Sequence, residues 1–420
     1  MTNDDLRPNA SPDAPVVVVG AGLAGLSCAV ALHEAGLPVL VLEAGDDVGG
    51  RVRTDHVDGY LLDRGFQVAL TAYPELHRQF DVAALGLQTF DPGALVWRNG
   101  KGVEVSDPFR RPTAAVSTAL APIGSLADKL RVARLRTRLR GVPAAQLLAG
   151  DDIATVDALR QAGFSDRIVD RFFRPLVGGI QLDPALGDSR RMFDIIFRML
   201  ADGDAAVPAS GMQAIPKQLA GRLPDGTVRC HAPVEVTTAT TVGVRGGDEI
   251  VASAVVVATD GPTASGLLGL EPVGSKAAAC AYFAADEPPT DSKMVILDGT
   301  GEGPVLNVAV MSNVAPTYAP AGRHLIVAAL PGVAAGDVDK LSRRQLSGWW
   351  GSQVERWEHL ASYHIAHGQP LQAPPFNPKQ SVAVADGRFV CGDHRDTASI
   401  QGALYSGRRC ADAVRKALFS

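Results

Sequence analysis

The chain has 420 residues, is 46% hydrophobic and 20% charged, and carries a formal net charge of -5. That length accommodates two domains with cores of their own, and the mild acidic balance lacks the concentrated basic face that a nucleic-acid backbone demands. Five cysteines, Cys28, Cys230, Cys280, Cys391 and Cys410, are widely spread with no CxxC pair, so neither a disulfide framework nor a metal-ligand cluster is expected.

The opening residues, MTNDDLRPNASPDAP, are polar, acidic and proline-containing, with no basic run or small-residue cleavage site ahead of the first apolar stretch. Residues 1–14 are therefore expected to form a flexible tail, and the chain is expected to be cytoplasmic. The following VVVVGAGLAGLSCAVAL, residues 16–32, is too glycine-rich and too short for a membrane span and lacks flanking positive charge. Its four valines predict a strand buried on both faces, which runs into Gly20-Ala21-Gly22-Leu23-Ala24-Gly25. In this GxGxxG pattern Gly20 permits a tight turn, Gly22 admits a pyrophosphate close to the backbone, and Gly25 lets the next helix pack on the strand. The helix start at Leu23 and Ala24 aims N–H groups at phosphate. Glycine patterns of this kind also occur in turns that bind nothing. Here, however, a second strand, PVLVLE, ends in Glu43, eighteen residues past Gly25. A carboxylate at that point accepts hydrogen bonds from an adenosine ribose and repels a 2′-phosphate, so the combination predicts a dinucleotide site.

Beyond Glu43 the chain reads EAGDDVGGRVRT, with Gly49, Gly50 and Arg51, and then GYLLDRGFQV, residues 59–68. A fixed cation suits bidentate phosphate contact, and the same arginine also fits an exposed loop. With these segments the sequence resembles the superfamily of flavin-containing amine oxidases, phytoene desaturases and protoporphyrinogen oxidases. The resemblance implies FAD, held noncovalently because no cysteine aligns for a covalent link. It implies cofactor contacts from Ala44 and Gly50, sends Arg51 to the pyrophosphate, and brings Arg64, Gly65, Phe66 and Gln67 close to the flavin ring. Asp63 and Arg64 also read as a surface ion pair. The implied fold is α/β, with a Rossmann-like FAD-binding domain assembled from discontinuous segments, residues 15–74, 206–264 and 381–420. A mixed α+β substrate domain would take residues 75–205 and 265–380. Val234 would face the adenine. In CGDHRDTASIQGALYSGRR, residues 391–409, Gly392 and Asp393 would reach the ribityl or pyrophosphate region. Thr397 or Ser399 would cap a helix whose first N–H groups, around Ile400, Gln401, Gly402 and Ala403, face the flavin edge that gains negative charge on reduction.

Two stretches lie between these pieces. LADKLRVARLRTRLRG, residues 126–141, interleaves Lys129, Arg131, Arg134, Arg136, Arg138 and Arg140 with Leu130, Leu135 and Leu139 at helical spacing. Such a helix either lies on an anionic membrane surface or is solvated with its leucines in the core. RFFRPLVGGI, residues 171–180, interrupts a helical region with Pro175, Gly178 and Gly179 and is expected to line a substrate cavity with Phe172 and Phe173. Tyr282, Phe283, Trp349 and Trp350 read either as further pocket residues or as core.

A flavin carries the difficult chemistry itself, so no catalytic triad or carboxylate dyad is required. The catalytic candidates are His364, His367, His394, Arg64 and Gln67, although histidines also serve in packing. Amine oxidases of the superfamily carry a flavin-facing lysine where this chain has Ala278 or a neighbour; Lys276 faces the same way only in a regular strand. Those oxidases also frame the amine with an aromatic ring, where this chain has Ser399, Ile400 and Gln401. The expected reaction is dehydrogenation of a C–C or C–N bond in a lipophilic small molecule by hydride transfer to flavin N5. Amine oxidation releasing hydrogen peroxide, redox-neutral polyene isomerisation and a non-enzymatic FAD-binding scaffold are the alternatives. Neither metal nor nucleic acid is expected, and the sequence leaves the electron acceptor and oligomeric state open.

Overall fold

A computed structural model describes residues 14–247, 249–384 and 386–419; residues 1–13 of the expected tail lie outside them. Val16–Val19 is wholly buried and pairs in parallel with Val39–Leu42 on one side and Ala254–Val257 on the other. Val228–Arg229 and Phe389–Val390 complete a five-stranded parallel sheet, so remote parts of the chain meet in one layer. Both faces are covered, which is why the central strand is all valine rather than alternating. Val16 and Val18 pack with the helices Leu23–Glu34 and Ile400–Phe419. Val17 and Val19 pack under a small antiparallel sheet of Val234–Thr237, Thr241–Val244 and Glu249–Val251.

The two helices are joined where Ser27 Oγ donates to the Leu404 carbonyl at 2.8 Å. Against the expectation drawn from their spacing, Cys28, Cys391 and Cys410 converge here, with their sulfurs all within 4.8 Å of one another. Parallel topology brings the two ends of the chain side by side, which linear spacing cannot show. All three are fully buried, where a thiol packs as a small apolar group.

A second, seven-stranded sheet runs in the order Glu358–Pro370, Ser275–Ala285, His324–Pro331, Asn307–Val310, Val295–Asp298, Gly93–Arg98 and Lys101–Ser106. Helix Val338–Trp350 covers one face, and Trp97, Phe283, Trp349, Trp350 and Trp357 form an aromatic cluster there. Phe283, Trp349 and Trp350 are thus core residues and not pocket residues. Helices Leu126–Arg140 and Arg190–Asp202 and the wide-turned helix Val169–Gly178 form a separate layer around Phe164, Phe173, Phe193 and Phe197. Phe173 is fully buried in that cluster, which corrects its assignment to a cavity wall.

The basic helix Leu126–Arg140 begins with a full capping box: Ser125 Oγ accepts from the Asp128 N–H, and the Asp128 carboxylate accepts from the Ser125 N–H. Its leucines divide between core and surface. Leu135 and Leu139 are buried, whereas Leu126 and Leu130 are 63% and 64% exposed. Arg136, Arg138 and Arg140 turn to Asp107, Asp194 and Asp202 of the same molecule.

Candidate active site

A cavity of about 1070 Å³ runs from the GxGxxG turn, past residues 64–68, to the helical layer. Its polar end is built by the first strand and helix. Gly20 has φ +107°, a conformation open to glycine, and turns the chain sharply out of the strand. Gly22 precedes the helix with no side-chain cap, unlike Ser125, so the first N–H groups of Leu23–Glu34 remain available to a ligand. A Cβ on Gly22 would meet no atom within 4 Å, whereas one on Gly25 would lie 2.0 Å from the Gly20 carbonyl oxygen. Gly22 therefore faces the cavity and Gly25 serves the packing of helix on turn.

Glu43 ends the second strand, where its carboxylate accepts from the N–H groups of Ala21 at 2.7 Å and Gly45 at 2.8 Å. This braces the phosphate turn against the next loop and leaves the carboxylate on the cavity wall beside Ala44. On the same wall Arg51 donates to Asp393 at 2.7 Å and to the Gly368 carbonyl at 2.8 Å. Burial works against the guanidinium charge, but Asp393 outweighs it and holds the Arg51 pKa above its ordinary value. The loop arginine is thus a fixed cation joining the first and last pieces of the chain.

Residues 64–68 line the cavity. Gln67 Nε2 donates to the carbonyls of Arg51 and Arg64, locking the turn. Arg64 pairs with Asp55, not with its neighbour Asp63. Asp63 is 1% exposed and accepts from Thr54 at 2.6 Å, the Met212 N–H at 2.9 Å and Tyr318 at 2.9 Å. Tyr282, proposed for the pocket, is instead buried behind this turn and donates to the Asp63 carbonyl at 2.8 Å. Desolvation pushes the Asp63 carboxyl from 3.8 up to about 6 despite the hydrogen bonds it accepts. Because the folded state favours the protonated acid, stability from this group is greatest in acid and declines as the pH rises from about 4 to 6. Asp63→Asn retains the carbonyl acceptor. Between about pH 4 and pH 7 the wild type is expected to lose roughly 2 kcal/mol relative to this variant. Urea denaturation of both proteins at the two pH values checks this, and a constant difference would refute it.

The far end of the cavity is apolar, with Phe90, Ile123, Phe172, Leu176, Phe197 and Leu200 among its walls. Phe172 and Gly179 are at the wall. Gly178 is not, since a Cβ there would meet the Asp183 carbonyl. Asn307 Nδ2 donates to the Pro175 carbonyl at 2.5 Å and lines the cavity, whose wall also carries Asp107, Arg110, Lys129, Arg136 and Asp204. Sequence reading missed Asn307 because nothing adjacent in the chain marks it. At the C-terminal end Ser399, and not Thr397, accepts from the Gly402 N–H at 3.0 Å and starts the last helix. Ile400 and Ala403 face the cavity, as do Val234 and Gly392. Gln401 points away, its side chain accepting from the Glu75 N–H at 2.9 Å.

A polar cradle continuous with a largely apolar chamber fits a flavin dinucleotide: an open glycine, a braced acidic strand end, an Arg51 cation held by the buried Asp393 and a free helix end. Residues 23–415 match the family described as flavin containing amine oxidoreductase. The chain belongs to the flavin containing amine oxidoreductase family. It is 30% identical to putrescine oxidase of Kocuria rosea over 237 residues, which cover 52% of this chain and 48% of that protein. It is 29% identical to protoporphyrinogen oxidase 2, chloroplastic/mitochondrial, of Arabidopsis thaliana over 164 residues, 39% of this chain and 32% of that one. These matches span a third to a half of the length of those relatives. An oxidoreductase from Methanosarcina mazei shares the fold, with a TM-score of 0.74 and 18% identity over 94% of this chain and 99% of that one.

In this flavin amine oxidoreductase family member the three histidine candidates are absent from the cavity wall. His364 is exposed, its ring within 3.0 Å of the Gly336 carbonyl, because the neighbouring Ile365 takes the inward position on the strand. His367 is exposed and bonded to Ser275 at 2.6 Å. His394 is buried with neither ring nitrogen partnered among the described residues, and desolvation lowers its pKa to about 4. The strand is also irregular at the position assigned to lysine: register slips between Lys276 and Ala278, so Ala278 faces the cavity while Lys276 pairs with Asp188 in the interior.

Proposed function

We propose that the protein is an FAD-dependent oxidoreductase that dehydrogenates a C–C or C–N bond in a fairly apolar small molecule. The carrying observation is the continuity of the polar cradle with an apolar chamber whose wall, among the described residues, includes neither histidine nor cysteine. When bound, the flavin supplies the oxidising chemistry by accepting a hydride from substrate at N5. Gly20, Gly22 and the helix start at Leu23 and Ala24 hold the phosphates, Glu43 the ribose, and Val234 the adenine end. Arg51 neutralises phosphate and is itself kept in place by Asp393. Residues 64–67 support the ring, and the positive end of the C-terminal helix near Ile400 favours the negative charge acquired there on reduction. With no cysteine or histidine on the wall to form a link, the cofactor is held noncovalently. The apolar chamber excludes water and orients the substrate through shape, with Asn307 as a polar anchor.

Family membership sets aside the scaffold alternative. Amine oxidation is the second reading, favoured by the likeness to putrescine oxidase. Against it stand Ala278 in the lysine position and cavity carboxylates already paired with arginine at Asp107 and Asp204. The test is anaerobic bleaching of the bound flavin. Polyenes and other extended apolar reductants are expected to bleach it, whereas short diamines are not. Bleaching by diamines alone, with peroxide formed on aeration, would overturn the first reading in favour of the second. Isomerised product without net flavin reduction would instead identify the redox-neutral alternative.

A further inference from the structure

Among the described residues, five large apolar side chains that are more than half exposed cluster in one short stretch: Phe109 59%, Val116 70%, Leu120 78%, Leu126 63% and Leu130 64%. They converge in space as well as in sequence. Lys129 Nζ donates to the carbonyls of Ala119 and Ala121, which holds helix Ala115–Leu120 against the basic helix. The Arg136 guanidinium lies over the Phe109 ring, 4.5 Å from its centre. Val116 and Leu120 are one helical turn apart, as are Leu126 and Leu130, so each pair presents a single apolar face. Phe109, Leu126 and Leu130 of the patch, with Ala119 and Lys129, also line the cavity, so the patch adjoins a solvent-exposed part of the cavity wall.

Charge identifies what meets this patch. Residues 109–140 carry eight cationic side chains and one acidic one, in a chain of net charge -5. Several of the arginines pair within the molecule, yet Arg131, Arg138 and Arg140 remain 41%, 53% and 49% exposed. Arg134 is exposed and has no salt bridge among the described residues. A second copy is disfavoured as occupant, because a two-fold contact would set this cationic surface against itself. Apolar side chains projecting from a cationic rim match an anionic lipid surface, in which the leucines enter the acyl boundary and the arginines meet headgroups.

We infer that residues 109–140 dock the protein on an anionic bilayer with the exposed part of the cavity wall facing the lipid, so that an apolar substrate enters without crossing water. The inference is independent of which bond is oxidised. Flotation of the flavin-loaded protein with vesicles tests it. The protein is expected to rise with phosphatidylcholine vesicles containing phosphatidylglycerol, to rise far less with phosphatidylcholine alone, and to be released by high salt. Leu120→Glu, outside the cavity wall, is expected to lower the vesicle-bound fraction about tenfold while the bound-flavin spectrum and melting stay unchanged. In a second measurement Leu120→Trp supplies a reporter against native tryptophans clustered elsewhere; its emission is expected to shift to the blue and be quenched by brominated lipid. The inference is overturned if the wild type fails to float, if Leu120→Glu floats equally, or if the unlipidated protein is a dimer that Leu120→Glu dissociates.

Discussion

Replacing Gly22 by valine is expected to abolish flavin retention while leaving the apoprotein's melting temperature unchanged. The two effects separate because of where this glycine points. Its backbone, with φ -74° and ψ 178°, is one that a branched residue adopts without strain. A Cβ would touch nothing within 4 Å, so the fold should tolerate the change. The added isopropyl group nevertheless occupies the approach to the N-terminal N–H groups of Leu23–Glu34, where phosphate would have to come close. The loss of affinity is expected to be on the order of a thousandfold, equivalent to about 4 kcal/mol. It should be measured by titrating apoprotein with FAD and following flavin fluorescence. Gly25→Val is the control of opposite character. There the side chain would collide with the Gly20 carbonyl, so melting itself should fall. Equal cofactor affinity in wild type and the Gly22→Val protein would remove the cradle assignment.

Lys276→Met is expected to destabilise the folded protein by about 3–5 kcal/mol without altering the rate at which substrate reduces the flavin. The lysine and Asp188 side chains are only 8% and 5% exposed, and they form a buried ion pair joining the strand Ser275–Ala285 to the loop before Arg190–Asp202. Removing one partner leaves the other without compensation in a poorly solvating interior. Asp188→Asn combined with Lys276→Met should recover much of the loss, since no lone charge then remains. Denaturant midpoints read the stability, and anaerobic stopped-flow reads the reduction. A variant of normal stability whose flavin is reduced slowly would place Lys276 in the chemistry and refute its role as a structural pair.

These two sites also mark the boundary of what can be read along the chain. That the GxGxxG segment and Glu43 lie at one strand-helix-strand turn was legible because local backbone demands and fixed spacing leave a direct trace in residue type, whereas Arg51 and the Gly392-Asp393 pair, which line the same cavity, were suggested by the family resemblance. Binding a phosphate at a helix start requires glycine wherever the chain lies in space. The histidines failed for the same reason in reverse: a residue near a motif in sequence still faces inward or outward according to strand alternation, and Ile365 took the inward place next to His364. Lys276 depended on a register slip before Ala278, which puts the two residues on different sides although they are only two apart in the chain.

By itself, then, the sequence determined the class of ligand, the buried parallel strand, the acidic strand end and the family resemblance, all set by interactions within a few residues. Only the tertiary structure decided which side chains reach the cavity. It buried Phe173 and Tyr282, gathered Cys28, Cys391 and Cys410 at one point, brought Asn307 to the cavity wall and left Leu120 and Leu130 exposed. Those outcomes depend on how whole sheets and helices pack, and burial is a property of the three-dimensional neighbourhood that no local pattern specifies.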